Sequence, residues 1–370
     1  MRLIFMFHAI HQGGGEIDLS KEATNQYALQ VKEEGYFYLL KRMLETKVVD
    51  EILLIIESVR GPGKIQYAPN FTGWVIPNIN KFDPHLRKDD IIWCRGGHKS
   101  NYSFLERAKK KGNWIMLYAA NTGRQKWLLW DVILTDFGPT SIDRRGRFWF
   151  HWNKPINPHI FKFTNEKRIY DLCIGASYIH DKKGQWKAID ALIEYKKMFG
   201  KNPRCILPGA ARRGVHSNYN MYKIESYGLD IKAAGMLPRP ELAKVLNQSK
   251  IFVHAGSSGE NDRGPLEAMR CGCFLMIANP QYHSPIVYND SEVCYVVDST
   301  DPKEFAKKIH SYIQWINSTT EENIGRGVSS YYERVAGMET IILPEMSKLV
   351  QMMKENKPGN PEVFRELCSK

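Results

Sequence analysis

Short apolar runs alternate with helical stretches along this chain, and the alternation occurs twice. In the first half, strands are expected at Leu3–Phe7, Glu51–Glu57, Gly73–Ile76, Asp90–Cys94, Trp114–Tyr118 and Asp131–Thr135, with helical patterns over Lys21–Leu44 and Tyr102–Lys111. Apolar strands spaced by helices predict a parallel sheet covered on both faces. The segment 151–171 breaks this rhythm. It is rich in Pro and Asn and has no clean period, which marks a junction between domains. The alternation then restarts. Strands are expected at Leu172–Gly175, Arg204–Leu207, Ile251–His254, Phe274–Ala278 and Val293–Val297, and helices at Lys187–Met198, Pro240–Gln248, Pro265–Arg270 and Pro302–Ile316. The predicted fold is therefore α/β, with two doubly wound, Rossmann-like domains at 1–160 and 165–335. Helical stretches follow at 322–334 and 339–355, and the helix 339–355 is expected to pack back on the first domain. Such folds bind ligands outside the carboxyl ends of their strands, and two of them face to face make a cleft for a substrate.

A chain of 370 residues suits two domains, and 43% hydrophobic with 25% charged residues is ordinary for a protein with a buried core. No segment approaches the ~20 uninterrupted apolar residues that span a bilayer. The apolar start lacks the features of a secretory signal, so a cytoplasmic location is expected. The seven cysteines sit mostly inside apolar runs, and the Cys271-Gly-Cys273 spacing is wrong for a zinc knuckle. A reduced protein without structural disulfides is expected. The net charge of +12 favours a polyanionic partner: a phosphorylated substrate, nucleic acid or an anionic membrane surface.

The most informative stretch runs from Ile251 to Asn279, IFVHAGSSGENDRGPLEAMRCGCFLMIAN. It reads as a buried strand, a small-residue loop, a helix start and another buried strand. Pro265 suits the first turn of a helix, where its missing N–H costs nothing. The loop 257–264 would then present backbone N–H groups and the positive end of a helix dipole to a diphosphate. Glu260 stands at the loop and Glu267 one turn inside the helix. A carboxylate accepts two hydroxyl hydrogen bonds at once, which fits sugar or ribose diols.

This segment resembles the donor-site signature of the retaining GT-B glycosyltransferases, glycosyl transferases group 1, in which two glutamates bracket a loop that enters EAMACG-like helix sequence. The resemblance implies that Glu260 holds the transferred sugar and Glu267 the ribose of the nucleotide. The family usually has seven residues between the two glutamates and this chain has six. Either the loop is one residue shorter, which we favour, or Gly259 takes the formal position. By the same resemblance Asn261, Asp262, Arg263 and Gly264 line the donor site. The run LCIGASYIHDKKGQWKAIDALIEY resembles the family's first strand and helix of the C-terminal domain, which implies that Lys183 binds the donor diphosphate. Where the family carries a partner arginine this chain has Ser177 or Tyr178, and Arg212, Arg213 and Arg263 are candidates to replace it. The segment HQGGGE, with Gly13, Gly14 and Gly15, resembles the family's N-terminal glycine loop. The donor implied is a nucleoside-diphosphate sugar, UDP- or GDP-linked, with no tightly bound cofactor. No metal is expected, since the chain contains no Asp-x-Asp pair. Glu260 and Lys183 are the expected catalytic residues.

Charge is uneven. Residues 107–154 hold ten Lys or Arg against three Asp, and five of the nine tryptophans. Tryptophan stacks on sugars or bases and sits well at lipid headgroups, while cations attract phosphates. In a two-domain transferase the acceptor belongs to the N-terminal domain, so Arg144, Arg145, Arg147, Trp149 and Asn121 are the acceptor-side candidates. The acceptors weighed are a lipid-linked or surface glycan and a modified base in DNA, with peripheral contact at the inner, anionic membrane surface. A non-catalytic sugar-nucleotide or nucleic-acid binding protein is the other class.

Overall fold

The strand β1 (Arg2–Phe7) is buried at all six positions because it pairs in parallel on both sides, with β2 (Glu51–Glu57) and β5 (Ile91–Arg95). It belongs to a computed structural model that describes residues 1–7, 22–23, 26–58, 60–80, 85–96, 101–118, 129–135, 140–144, 146–175, 178–179, 184–211, 215–256, 263–278, 293–297 and 301–368. The chain divides into two units. The first comprises Met1–Pro155 together with Ile342–Lys370, and the second Ile156–Ile341.

Among the described residues the first unit is built on a nine-stranded sheet. Its other strands are β3 (Gly63–Ala68), β4 (Phe71–Ile76), β6 (Trp114–Tyr118), β7 (Val132–Thr135), β8 (Ser141–Ile142) and β9 (Phe148–His151), in the order β3-β4-β2-β1-β5-β6-β7-β9-β8. The pairs β3–β4 and β8–β9 are antiparallel and the rest are parallel. Where one helix was expected over Lys21–Leu44, there are α1 (Gln26–Gln30), a 3-10 turn at Val31–Glu33 and α2 (Gly35–Glu45). The break falls at Glu34, which is extended at φ −72 and ψ 142, just before a glycine that contributes nothing to helix propensity. Beneath the sheet, Arg2 donates to both carboxylate oxygens of Asp90 at 2.8 and 2.7 Å, a buried fork that ties β1 to the entry of β5. The chain also returns to this unit: α10 (Leu343–Glu355) offers the Met353 carbonyl to the Trp114 indole N–H at 2.8 Å, and Phe364 stacks on Phe148 at 4.6 Å.

Among the described residues the second unit has a six-stranded, wholly parallel sheet. Its strands are β10 (Tyr170–Ile174), β12 (Cys205–Pro208), β14 (Ile231–Gly235), β15 (Ser249–His254), β16 (Phe274–Ala278) and β17 (Cys294–Val297), in the order β14-β12-β10-β15-β16-β17. Between them β11 (Tyr178–Ile179) and β13 (Ala210–Ala211) form a separate short pair. Alternation along the strands sorts side chains to two cores. Leu172, Ile174, Ile251, Val253, Phe274 and Met276 face α4 (Gln185–Phe199) and α8 (Pro302–Ser318). Cys173, Phe252, Leu275 and Ile277 face α6 (Arg239–Asn247), α7 (Arg263–Arg270) and α9 (Glu321–Ala336). The helix α5 (Val215–Ser226) lies in the connection from β12 to β14. Among the described residues no helix is long and apolar enough to cross a membrane.

All seven cysteines are free thiols, six of them buried and Cys368 half-buried. Burial pushes the Cys273 thiol up to about 11 and Cys294 to about 12, and raises Cys173, Cys205 and Cys271 well above the ordinary range. The folded state thus favours neutral thiols; that contribution is complete below the ordinary thiol pKa of 9.0 and is lost as pH rises above it. Because the thiolate is the reactive form, native protein at about pH 8 should show one fast-reacting thiol, at Cys368, and all seven in denaturant. Several fast thiols in the native protein would contradict this packing.

Candidate functional site

In the second unit the chain runs outward from β10 to β12 and β14, returns to β15 beside β10, and continues outward to β16 and β17 on the other side. The reversal falls between β10 and β15. In open α/β sheets, ligands bind outside the carboxyl ends of the strands at such a switch point.

Glycines shape this end of the sheet. Gly175 follows β10 directly, and a Cβ there would penetrate the Phe252 ring on β15. The same ring lies 3.2 Å from where a Cβ on Gly264 would stand, in the first turn of α7. One buried phenyl ring therefore fixes both the exit of β10 and the start of α7. Gly184, the N-cap of α4, has φ +70, and a Cβ on it would overlap the Ala255 carbonyl and stand 2.7 Å from Gly256 N. The backbone that opens α4 thus presses against the backbone leaving β15, which no residue with a side chain permits.

The helix α7 is held at both ends. Its sequence RGPLEAMR places Pro265 in the first turn, while Leu266, Ala268 and Met269 are buried. At the other end Gly272 is left-handed, its N–H donates to the Met269 carbonyl at 2.8 Å, and Cys273 N–H donates to the Ala268 carbonyl at 2.9 Å. These two bonds form a Schellman cap. The buried Arg168 guanidinium also donates to the Gly272 carbonyl at 2.9 Å and to the Ser249 carbonyl, joining the end of α7 to the start of β15.

Glu267 is thereby set on a rigid helix. Its side chain is 7% exposed and accepts a hydrogen bond from Arg239 Nη1 at 3.1 Å; Arg239 is 19% exposed and opens α6. A carboxylate this buried needs a cation facing it. Arg263 and Gly264, also expected at the site, are the first two residues of α7 and half-buried. Gly13, Gly14, Gly15, Ser177, Lys183, Arg212, Glu260, Asn261 and Asp262 lie outside the described residues. Sequence reasoning missed Arg239. It looks like any surface cation at a helix start, and nothing near it in sequence points to a glutamate 28 residues on.

The acceptor-side candidates fare unevenly. Arg144 is exposed, while Arg145 and Asn121 lie outside the described residues. Arg147 Nε and the Trp149 indole both donate to Asp143 Oδ2, at 2.7 and 2.9 Å, within the β8–β9 hairpin. Of the other tryptophans in the stretch, Trp114, Trp130 and Trp152 are core residues, Lys154 is buried beside the Tyr118 ring, and Lys109 pairs with Asp131 at 3.0 Å. Among the described residues, packing accounts for three of these tryptophans, whereas Lys110, Lys111 and Arg144 are exposed; Trp127 lies outside the described residues.

The close approach at Gly184 makes a test with an internal control. Gly200 caps the other end of α4 at φ +65 but has nothing within 4 Å of a built Cβ. Gly200→Ala should cost only the left-handed strain, about 1 kcal/mol. Gly184→Ala adds a backbone collision and should cost several times as much in denaturant unfolding. Equal costs for the two would remove the contact from the account.

Comparison with known proteins agrees with this layout. Residues 160–323 match the family model described as glycosyl transferases group 1. No curated protein matches the sequence. Among solved structures, HepE from Anabaena in complex with UDP superposes with a TM-score of 0.66 at 14% identity, covering 95% of this chain and 100% of that one. A glycosyltransferase from Rickettsia africae gives 0.67 at 12% identity, over 96% and 99%. A trehalose-6-phosphate protein from E. coli bound with UDP-2-fluoro glucose gives 0.65 at 10% identity, over 97% and 100%. Residues 160–323 therefore form a group 1 glycosyl transferase domain, and the chain has the two-unit α/β architecture of the GT-B glycosyltransferases.

Proposed function

We propose that this protein transfers a sugar from a nucleoside-diphosphate sugar to an acceptor hydroxyl with retention, and that the second unit holds the donor. The observation that carries the reading is the buried, arginine-paired Glu267 on α7, beside the switch point where Gly175 and Gly184 admit close backbone approach. In this reading Glu267 accepts the ribose hydroxyls and Glu260 those of the transferred sugar. Lys183 meets the diphosphate, with Arg212 or Arg263 as the second cation and backbone N–H groups at Gly264, Asn261, Asp262 and Ser177. The family resemblance also assigns Gly13–Gly15 to donor binding. The donor is UDP- or GDP-linked; HepE and the E. coli protein are bound with UDP and a UDP-sugar respectively.

The proposed step needs no external base. The bond from the anomeric carbon to the diphosphate oxygen breaks while the acceptor oxygen bonds to that carbon on the same face. The acceptor's proton passes to the departing phosphate oxygen, and Lys183 with the backbone N–H groups stabilises the charge that develops there. The acceptor we propose is a lipid-linked or surface glycan. A base in DNA is the weaker reading, because Trp114, Trp130 and Trp152 are buried and cannot serve as stacking platforms.

Glu267→Ala should weaken both donor and free nucleoside diphosphate by about 1–3 kcal/mol, the value of a lost charged hydrogen bond. Unchanged nucleotide affinity in a folded variant would remove Glu267 from the site. Glu260→Gln should depress turnover strongly while nucleoside diphosphate binding stays near normal. Retention is read directly from the anomeric configuration of the first-formed product by NMR, and an inverted product would overturn that part of the reading.

A further inference from the structure

We infer that Arg239 is the positioning residue of the nucleotide site, setting the Glu267 carboxylate for the two hydroxyls of a ribose. The inference rests on the nucleotide reading above.

Arg239 is the first residue of α6, and Pro238 and Pro240 flank it with rings that fix their own φ. The side chain leaves a stiff backbone position at the start of one helix and reaches the second turn of another. Its Nη1 engages Glu267 Oε1 at 3.1 Å, and the pair is largely shielded from water. Helix α7 itself cannot slide, since its Schellman cap and Arg168 hold one end and the Phe252 ring lies under the other. The main freedom left to Glu267 is rotation of its side chain, and the guanidinium restricts it. A carboxylate oxygen pair can accept about four hydrogen bonds, so binding Arg239 through Oε1 leaves capacity for a diol. A lysine would supply the charge without the planar fork and would orient the carboxylate less well.

The inference separates ribose recognition from phosphate recognition. The probes are UDP and 2′,3′-dideoxy-UDP, titrated against full-length wild type, Arg239→Ala and Arg239→Lys. Wild type should favour UDP by about tenfold to a hundredfold, the loss expected for hydrogen bonds to a charged group. Arg239→Ala should narrow that preference to within about twofold while binding dideoxy-UDP as wild type does, and Arg239→Lys should recover part of it.

Two results overturn the inference. Either Arg239→Ala keeps the full preference, or it loses UDP and dideoxy-UDP by the same factor, which would make Arg239 a phosphate contact or a fold element. Should Arg239→Ala fail to fold, Arg239→Gln and Arg239→Lys carry the same comparison. If wild type itself shows no preference for the diol, the assignment of Glu267 to ribose fails, which is a different failure from that of Arg239. If UDP does not bind, GDP and its dideoxy form replace the pair, and binding of neither pair removes both readings.

Discussion

At the carboxyl ends of β10 and β15, backbone passes backbone at distances that a methyl group would prevent. Gly184 opens α4 against the carbonyl of Ala255, and Gly175 leaves β10 over the ring of Phe252, which also underlies Gly264 at the start of α7. Two stretches far apart in sequence, 175–184 and 252–264, are thereby held to one place by close contact. Close packing of this kind is stiff, because a dense interior transmits displacement and does not absorb it. The proposed donor binding depends on that stiffness, since a diphosphate is recognised by N–H groups whose positions are fixed beforehand.

Glu267 adds charge to this frame at a known cost. Burying a carboxylate beside a guanidinium spends solvation on both partners, and a well-packed apolar pair would often be as stable. In the proposed reading the ion pair is a device for function: it keeps a hydrogen-bond acceptor fixed in a place that excludes water. The contrast with Arg2 and Asp90 is instructive. That fork, also buried, sits where the first strand begins and joins β1 to the entry of β5, with the His85 carbonyl and the Arg87 N–H bonded to the same pair. Similar chemistry thus does structural work at the amino end of one sheet and, in the proposed reading, offers a binding group near the carboxyl end of the other.

Much of the architecture could be read from the sequence because parallel strands are buried on both faces and show as continuous apolar runs. RLIFMF, EILLIIE and FLMIA announce themselves in this way. What escaped notice lacks that signature. The edge strand β3 reads GKIQYA, with Lys64 and Gln66 exposed, and it pairs with β4 through a turn in which Asn70 adopts positive φ. In the second unit's sheet the edge strand β14 is largely exposed and reads as a loop. At the site, the strand–loop–helix pattern marked Glu267 because its neighbours carry a local signal. Arg239 has none, since an ion pair across 28 residues is a property of the folded sheet and not of any window. The basic-aromatic stretch was misleading for a related reason: a tryptophan's composition signal is the same whether it faces solvent or, like Trp130 and Trp152, the core.

The central claim is that the second unit binds a nucleoside-diphosphate sugar through the diphosphate and the ribose together. Thermal unfolding of the intact protein with a panel of nucleoside diphosphates, their sugars, the free nucleosides and inorganic pyrophosphate tests it most directly. Ligand that binds only the folded state stabilises it by about 2.7 kcal/mol at a hundredfold excess over Kd. The account predicts that one nucleoside diphosphate and its sugar forms raise the unfolding temperature in step with concentration, while nucleoside alone and pyrophosphate alone do much less. A panel in which no nucleotide moves the transition up to millimolar concentration, or in which pyrophosphate does as much as the nucleotide, would contradict it.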